Sequence, residues 1–318
     1  MKNQTEEPSL ENLRQQLHTL SEDNLPEQTR QAIQSSLQIL ETALSQGGNT
    51  DENTLRQILA VQTALIAENI RLYAAMRDME QEKAKFVSVV SHELRLPMTS
   101  IKGYTDLLLQ GMVGPINEQQ TQFLEVIRNN VERMQALVSN LSDISRLETG
   151  RLRLNRGAFQ LSESVAQVMS SLGEKITAKK QTYELNIPDN LPDCYADAKR
   201  AAQVLSNLIS NAWKYTPEGG HISISAQARD EHVYVEVADT GIGILPADQT
   251  KIFTPFFRSE EDAVRQQPGW GLGLHLAKRL VDVMGGSMGF HSKPGAGSTF
   301  WFTLPISKTT PENKTANR

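Results

Sequence analysis

His92 and Glu93 stand side by side in the stretch Phe86-Val-Ser-Val-Val-Ser-His92-Glu93-Leu-Arg-Leu96-Pro97. A neutral imidazole next to a carboxylate can serve as a nucleophile, because the carboxylate holds one ring N–H while the other nitrogen attacks. Pro97 has no N–H for the carbonyl of Glu93, so a helix through this stretch should loosen or bend one turn past the histidine. Read alone, such a pair is more often a surface feature of an amphipathic helix.

A second group of residues suits a phosphorylated ligand. Gln203, Asn207, Asn211 and Lys214 recur at helical spacing and form one polar stripe. Carboxamide oxygens suit a hydrated Mg2+ and a lysine suits phosphate; a solvated helix face explains the stripe as well. Asp239-Thr-Gly241-Ile-Gly243 follows a strand-like alternation. There an aspartate can accept from an exocyclic amine while the glycines let backbone approach a ligand. Alone, such a segment is more often a turn. Gly269-Trp270-Gly271-Leu-Gly273 opens a helical segment, and spaced glycines at a helix N-terminus can cradle phosphate. The dinucleotide-binding fingerprint does not fit, because its glycine spacing differs and no βαβ unit follows.

The elements that must position these groups are legible from periodicity. From Asp51 to about Leu109 the pattern is helical, with Ile58, Leu65, Leu72, Met79 and Phe86 recurring every seven residues and Val61, Ala75 and Val89 between them. That is a coiled-coil-like seam. It runs into an apolar stripe at Phe86, Val90, Leu94, Ile101 and Leu108, beside which His92 lies. Gly111, Gly114 and Pro115 make a connection, and a returning helix carries Phe123, Ile127, Met134, Val138, Leu141 and Ile144 on one face. Two such helices doubled by a twofold axis form a four-helix bundle. After Gly150, helices at 161–176 and after Asp197 alternate with strands around Ile222-Ile224-Ala226, Val233-Val235-Val237 and Phe300-Phe302-Leu304. Half-buried strands with helices on one face predict an α/β sandwich. The fold class expected is therefore multidomain α+β. Its parts are a helical segment of unknown role (1–50), a signalling helix (51–85), a dimeric helical hairpin (86–150), an α/β domain (151–306) and a polar tail (307–318).

Composition narrows the function classes. A net charge of -5 gives no electrostatic reason to expect nucleic acid as a partner. One cysteine, Cys194, excludes an intrachain disulfide and any multi-cysteine metal site. No apolar run approaches ~20 residues, so no membrane span is expected, and the N-terminus lacks a signal peptide's apolar core. The expected location is cytoplasmic.

Taken in order, these segments resemble the bacterial two-component sensor histidine kinases. His92-Glu93-Leu-Arg-Leu96-Pro97 is similar to the phosphoacceptor box, and Asn207-Leu-Ile-Ser-Asn211-Ala-Trp-Lys214-Tyr215 to the N box. Asp239-x-Gly241-x-Gly243 resembles the first Gly box, Lys251-Ile-Phe-Thr-Pro-Phe-Phe-Arg258 the F box, and Gly269-x-Gly271-x-Gly273 the second Gly box. Gly297-Ser-Thr-Phe300 resembles the closing strand motif, so the likeness spans residues 80–306. It implies a Bergerat-type ATP-binding domain and a homodimer. It also implies autophosphorylation of His92 from ATP and transfer to an aspartate on a response regulator receiver domain. By the same likeness, Glu93 orients or deprotonates the imidazole and Asn211 with Asn207 holds Mg2+. Lys214 and Arg258 contact phosphate, Tyr215 packs on the nucleotide, Asp239 accepts from the adenine amine, and the glycines shape a lid over 259–268.

Two positions depart from the family pattern. Leu96 replaces the usual Thr or Asn one turn past the histidine, which implies weak phosphatase activity, and Trp270 replaces the usual Thr between lid glycines. No sensory motif precedes residue 80, so an upstream sensor protein is a possible partner. A dimeric ATP-binding scaffold that docks a partner without useful phosphotransfer is the competing function class.

Overall fold

The computed structural model describes residues 30–31, 33–38 and 52–308. Leu40, Leu44, the Gly47-Gly48-Asn49 stop and the tail beyond residue 308 lie outside the described residues, as do the side chains of Ile58 and Val61. The chain forms two compact units, Met1–Lys85 and Phe86–Arg318.

In the first unit, residues 33–38 are helical, with Ile33 fully buried and the Ser36 hydroxyl donating to Gln62 Oε1 at 3.3 Å. The long helix α1 (Glu52–Leu109) begins here. Its seven-residue seam faces outward: Leu65, Leu72 and Met79 are all more than half exposed, whereas Thr63 and Ile66 are buried.

In the second unit α1 passes through Pro97 unbroken. Just past the proline, Thr99 Oγ1 donates to the Arg95 carbonyl at 2.8 Å and Ser100 Oγ to that of Leu96 at 3.3 Å. Hydroxyls bonding back one turn are a familiar way to soften a helix locally. Gly111 and Gly114 turn the chain with positive φ, and Asn117 caps the returning helix α2 (Glu118–Glu148) through a reciprocal box with Gln120.

Packing within one hairpin covers only part of its apolar surface. The residues α1 buries around His92 are Ser91, Met98 and Thr105, again seven apart, and Met98 clusters with Val131 and Val138 of α2. Phe86, Leu94 and Ile101 stay exposed, as do Phe123, Ile127 and Met134 on α2. One neighbouring helix can cover only one strip of so broad an apolar surface.

The α/β domain begins with β1 (Gly157–Phe159), antiparallel to β3 (Cys194–Ala196). Its main sheet contains β2 (Thr182–Asn186), β4 (His221–Arg229), β5 (His232–Asp239), β6 (Met288–Ser292) and β7 (Ser298–Pro305), in the order β2-β4-β5-β7-β6. Only β2 and β4 run parallel. Alternate residues of β4, β5 and β7 are buried, including Ile222, Ile224, Val233, Val235, Phe302 and Leu304. Helices α3 (Leu161–Ala178), α4 (Ala198–Tyr215) and α7 (Gly273–Met284) close that face into one core. Two one-turn helices, α5 (Pro246–Gln249) and α6 (Asp262–Arg265), lie in the connection between β5 and α7.

The C-terminal end of α2 is built into this domain. Ile144 and Leu147 belong to its core. Buried Asp143 receives Arg200 at 2.7 Å and Gln203 Nε2 at 3.1 Å, both from α4. The Arg156 guanidinium donates to the Val283 carbonyl at 2.6 Å.

Candidate functional site

Helix α4 carries most of the site. Asp197 caps its start by accepting from the N–H groups of Lys199 and Arg200, and its apolar side, from Ala201 to Ala212, is sunk in the core. That burial turns the opposite stripe toward a cavity of about 680 Å³. Asn207, Asn211, Lys214 and Tyr215 line it. Gln203, the first residue of the stripe, does not line it; its side chain is spent on Asp143 and Arg200.

The end of α4 is held by a device that the spacing did not reveal. Lys179 Nζ donates to the carbonyls of Trp213, Lys214 and Thr216 at 2.9, 3.1 and 2.7 Å. The Gln181 amide adds a bond to the Thr216 carbonyl at 2.6 Å. A cation at a helix C-terminus satisfies orphan carbonyls and complements the helix dipole. Burial pushes the Lys179 ammonium below its ordinary value. A lysine just past a helix carries no pattern of its own in sequence, which is why it went unnoticed.

Asp239 ends β5 at the cavity wall. Its Oδ1 accepts from the N–H of Gly241 at 2.8 Å and of Ser298 at 3.3 Å. Burial pushes this carboxyl above the usual range, and the two N–H donors pull it partly back. Both recorded bonds fall on Oδ1, so Oδ2 is the oxygen available to a ligand amine. Gly241 acts through structure: a Cβ there would lie 2.6 Å from the Tyr215 carbonyl oxygen and 2.7 Å from Asp239 Oδ1. It is not itself among the residues lining the cavity, whereas Gly243 is.

The glycine-rich segment forms the far wall. Gly269, Trp270, Gly271 and Gly273 all line the cavity. Gly271 has φ +70°, and a Cβ there would collide with the backbone of Phe256 and Phe257. The Phe256 N–H in turn donates to the Gly271 carbonyl at 3.0 Å. His275 Nδ1 lies 2.9 Å from the Phe253 carbonyl, which ties the same segment to α7. Arg258 also lines the cavity, but its guanidinium donates to the carbonyls of Gly269, Val264 and Gln267 at 2.8, 2.6 and 2.6 Å. In this conformation it clasps the 259–268 lid.

Lys214 is the cation at the heart of the site. Burial pushes its ammonium below the ordinary value, and Arg258, Arg133 and Lys175 push it in the same direction. Burial raises the neighbouring Tyr215 phenol. Among the described residues no cluster of three His, Cys, Asp or Glu is placed to hold a metal. The Asn207 Nδ2 is buried without a partner. A Mg2+ site of the kind that borrows most of its oxygens from phosphate and water needs only one or two protein oxygens. Asn207 and Asn211, one turn apart and both facing the cavity, fit that requirement.

His92 and Glu93 are elsewhere. Neither lines the cavity. They project from α1 with side chains about two-thirds exposed, His92 Nδ1 lying 3.4 Å from Glu93 Oε1. Leu96, one turn on, is also exposed. The structure thus brings the N-box residues, Asp239 and the glycine segment together, and keeps the histidine apart.

Residues 82–150 match the His Kinase A (phospho-acceptor) domain, and residues 196–308 match the histidine kinase-, DNA gyrase B-, and HSP90-like ATPase. The chain belongs to the two-component sensor histidine kinases. Among its relatives, the sensor histidine kinase WalK of Bacillus subtilis is 37% identical over 71% of this chain. The signal transduction histidine-protein kinase BarA of Escherichia coli K12 is 34% identical over 75% of it. The matched stretch is only 37% of the first protein and 27% of the second. The crystal structure of full-length ShkA in complex with AMPPNP superposes with a TM-score of 0.60 at 27% identity, covering 71% of this chain and 46% of that one. Most of the cavity's lining lies in the matched ATPase domain, part of it on α2 in the phosphoacceptor domain, which also carries His92. Among the described residues no helix is long and apolar enough to cross a membrane.

Proposed function

We propose that this chain is an ATP-dependent protein-histidine kinase that phosphorylates His92 and passes the phosphoryl group to an aspartate of a response regulator. One observation carries the reading. A single cavity has a half-buried carboxylate at Asp239 on one wall and a cationic cluster around Lys214 on another. Adenine offers an amine to the first and a triphosphate suits the second.

In this reading Asp239 Oδ2 selects adenine, Tyr215 packs on the nucleotide, and Lys214 neutralises phosphate. Asn211 and Asn207 hold Mg2+, which when bound neutralises charge on the transferring phosphoryl group. Glu93 holds one imidazole N–H of His92, leaving the other nitrogen to attack the γ-phosphorus as the bond to the β-γ bridging oxygen breaks. Because His92 lies outside the cavity, the ATPase domain and a phosphoacceptor helix must meet for transfer. A homodimer joined through the exposed apolar faces at 86–134 supplies that arrangement. Residues 86–150 serve as its dimerisation and phosphotransfer domain and 151–306 as its catalytic domain. Residues 51–85 act as a signalling helix, open to an upstream sensor. A cytoplasmic location follows from this role.

Incubation of the full chain with γ-labelled ATP tests the proposal. Acid-labile label is expected on the native protein and absent from His92→Ala, with ATP binding retained in both. Binding without any label on the native chain would instead make the protein a nucleotide-dependent scaffold.

A further inference from the structure

The nucleotide cavity is not made by the ATPase domain alone. Asn129, Glu132, Arg133 and Ala136 of α2 form part of its wall, together with Lys214 and Arg258. We propose that Arg133 is a phosphate-binding residue, so that a bound nucleoside polyphosphate bridges the helical hairpin and the ATPase domain. The inference rests on the nucleotide reading given above and adds a contact from outside every motif that supports that reading.

Three observations lead to it. First, α2 is firmly seated on the ATPase domain. Asp143 holds Arg200 and Gln203, and Ile144 and Leu147 sit in the shared core, roughly 15 Å along the helix from Arg133. Second, Arg133 makes no hydrogen bond or ion pair with any described residue, whereas the adjacent carboxylate, Glu132, is committed to Lys102 at 2.8 Å. Third, Arg133, Lys175, Lys214 and Arg258 gather their charges at one part of the cavity. Arg133 and Lys214 have no hydrogen bond or ion pair to a carboxylate among the described residues, Lys175 feels the Glu132 carboxylate only through space, and Arg258 donates to neutral carbonyls.

Four gathered cations repel one another, and that repulsion makes Lys214 easier to deprotonate. The Asp239 carboxyl, in contrast, is shifted by burial and by two backbone N–H groups. The cavity is therefore electrically divided. A ligand neutral at one end and polyanionic at the other relieves the cluster, and a guanidinium can grip phosphate oxygens in a fork. The plain alternative is a solvated arginine on a helix surface, and the two readings differ in which ligands notice its loss.

Calorimetry on the full chain with ATP and with adenosine separates them. Arg133→Ala should weaken ATP about tenfold, the worth of a charge-assisted hydrogen bond. It should leave adenosine unchanged, and Arg133→Lys should recover part of the loss. Unchanged ATP affinity in Arg133→Ala overturns the bridge and leaves the nucleotide site standing. An equal loss for ATP and adenosine also overturns it, showing that Arg133 only shapes the wall. If the native chain binds neither ligand, the nucleotide reading fails and takes the bridge with it. Arg133 is exposed on a helix whose anchors lie elsewhere, so the variants are expected to fold, which thermal melting checks.

Discussion

The hairpin and the ATPase domain treat their apolar side chains in opposite ways. In the ATPase domain, alternate residues of β4, β5 and β7 and the inner faces of α3, α4 and α7 vanish into one closed core. In the hairpin, Phe86, Leu94, Ile101, Phe123, Ile127 and Met134 face outward while small or polar Ser91 and Thr105 are buried. A closed core, completed by Ile144 and Leu147 from the end of α2, needs no further partner to hide its apolar surface. A surface of that apolar character is stable in water only when something covers it. The difference teaches where each task is centred: ligand binding on the closed core, with α2 adding one wall of the cavity, and assembly on the uncovered faces of the hairpin.

Variants of each region can break or sharpen that contrast. The largest effect is expected in the closed core. Phe302→Ala removes a fully buried ring and should cost about 3–5 kcal/mol, read as a lowered thermal midpoint that ATP only partly restores. An unchanged midpoint would show that the core is not what holds the domain. On the hairpin, Phe123→Glu combined with Ile127→Glu should leave ATP affinity intact and weaken dimerisation by roughly 3 kcal/mol, about two powers of ten in Kd. Sedimentation showing equally tight dimers would remove these faces from the interface.

Asp239→Ala comes next. Losing a charged acceptor should cost about 1.5–3 kcal/mol of ATP binding, and unchanged affinity in a folded variant would withdraw the adenine assignment. The pH profile offers a finer division within the cavity. Burial raises Asp239, so as pH falls its carboxylate protonates before an ordinary one, and adenosine and ATP affinity should both decline on that acid limb. Burial and neighbouring cations lower Lys214, so its charge is lost as pH rises, below the usual lysine range. ATP should therefore weaken on the alkaline side where adenosine does not. A common profile for both ligands would mean that the cavity is not divided.

The smallest effect is expected at Leu96. Its methyl groups cannot position water for attack on a phospho-aspartate, and the side chain is exposed one turn from His92. Leu96→Thr should raise dephosphorylation of a receiver domain several-fold while leaving autophosphorylation alone. Equal, brisk rates from both proteins would free position 96 of that role.

Much of this was legible in sequence because periodicity reports on burial. The alternations at Ile222, Val233 and Phe300 predicted three strands, and each is found. Apart from Gln203 and Gly241, the residues predicted from the stripe on α4 and the glycine segments do line one cavity. Strand β2 was missed because its side chains are all exposed, so edge pairing with β4 left no alternation to read. The hairpin stripe shows a related limit of periodicity: apolar spacing marks a surface that wants covering without saying what covers it. Gln203 shared the spacing of Asn207 yet answers to Asp143, a partner sixty positions away in the chain. Arg258 belongs to a recognised segment but is occupied with the lid carbonyls.

Lys179 has a consequence for anyone reading this protein through its mutants. It does not line the cavity, but it gathers the carbonyls of Trp213, Lys214 and Thr216, sharing the first and last with Gln181. A genetic screen for loss of signalling should therefore recover alleles at Lys179 among those of the N box. Their phenotype would pass for a defect in nucleotide contact, although the lesion lies in how the last turn of a helix is finished. Suppressors of such alleles are expected near residues 181 and 213–217, on the same small knot of backbone, and not among the residues that meet the ligand.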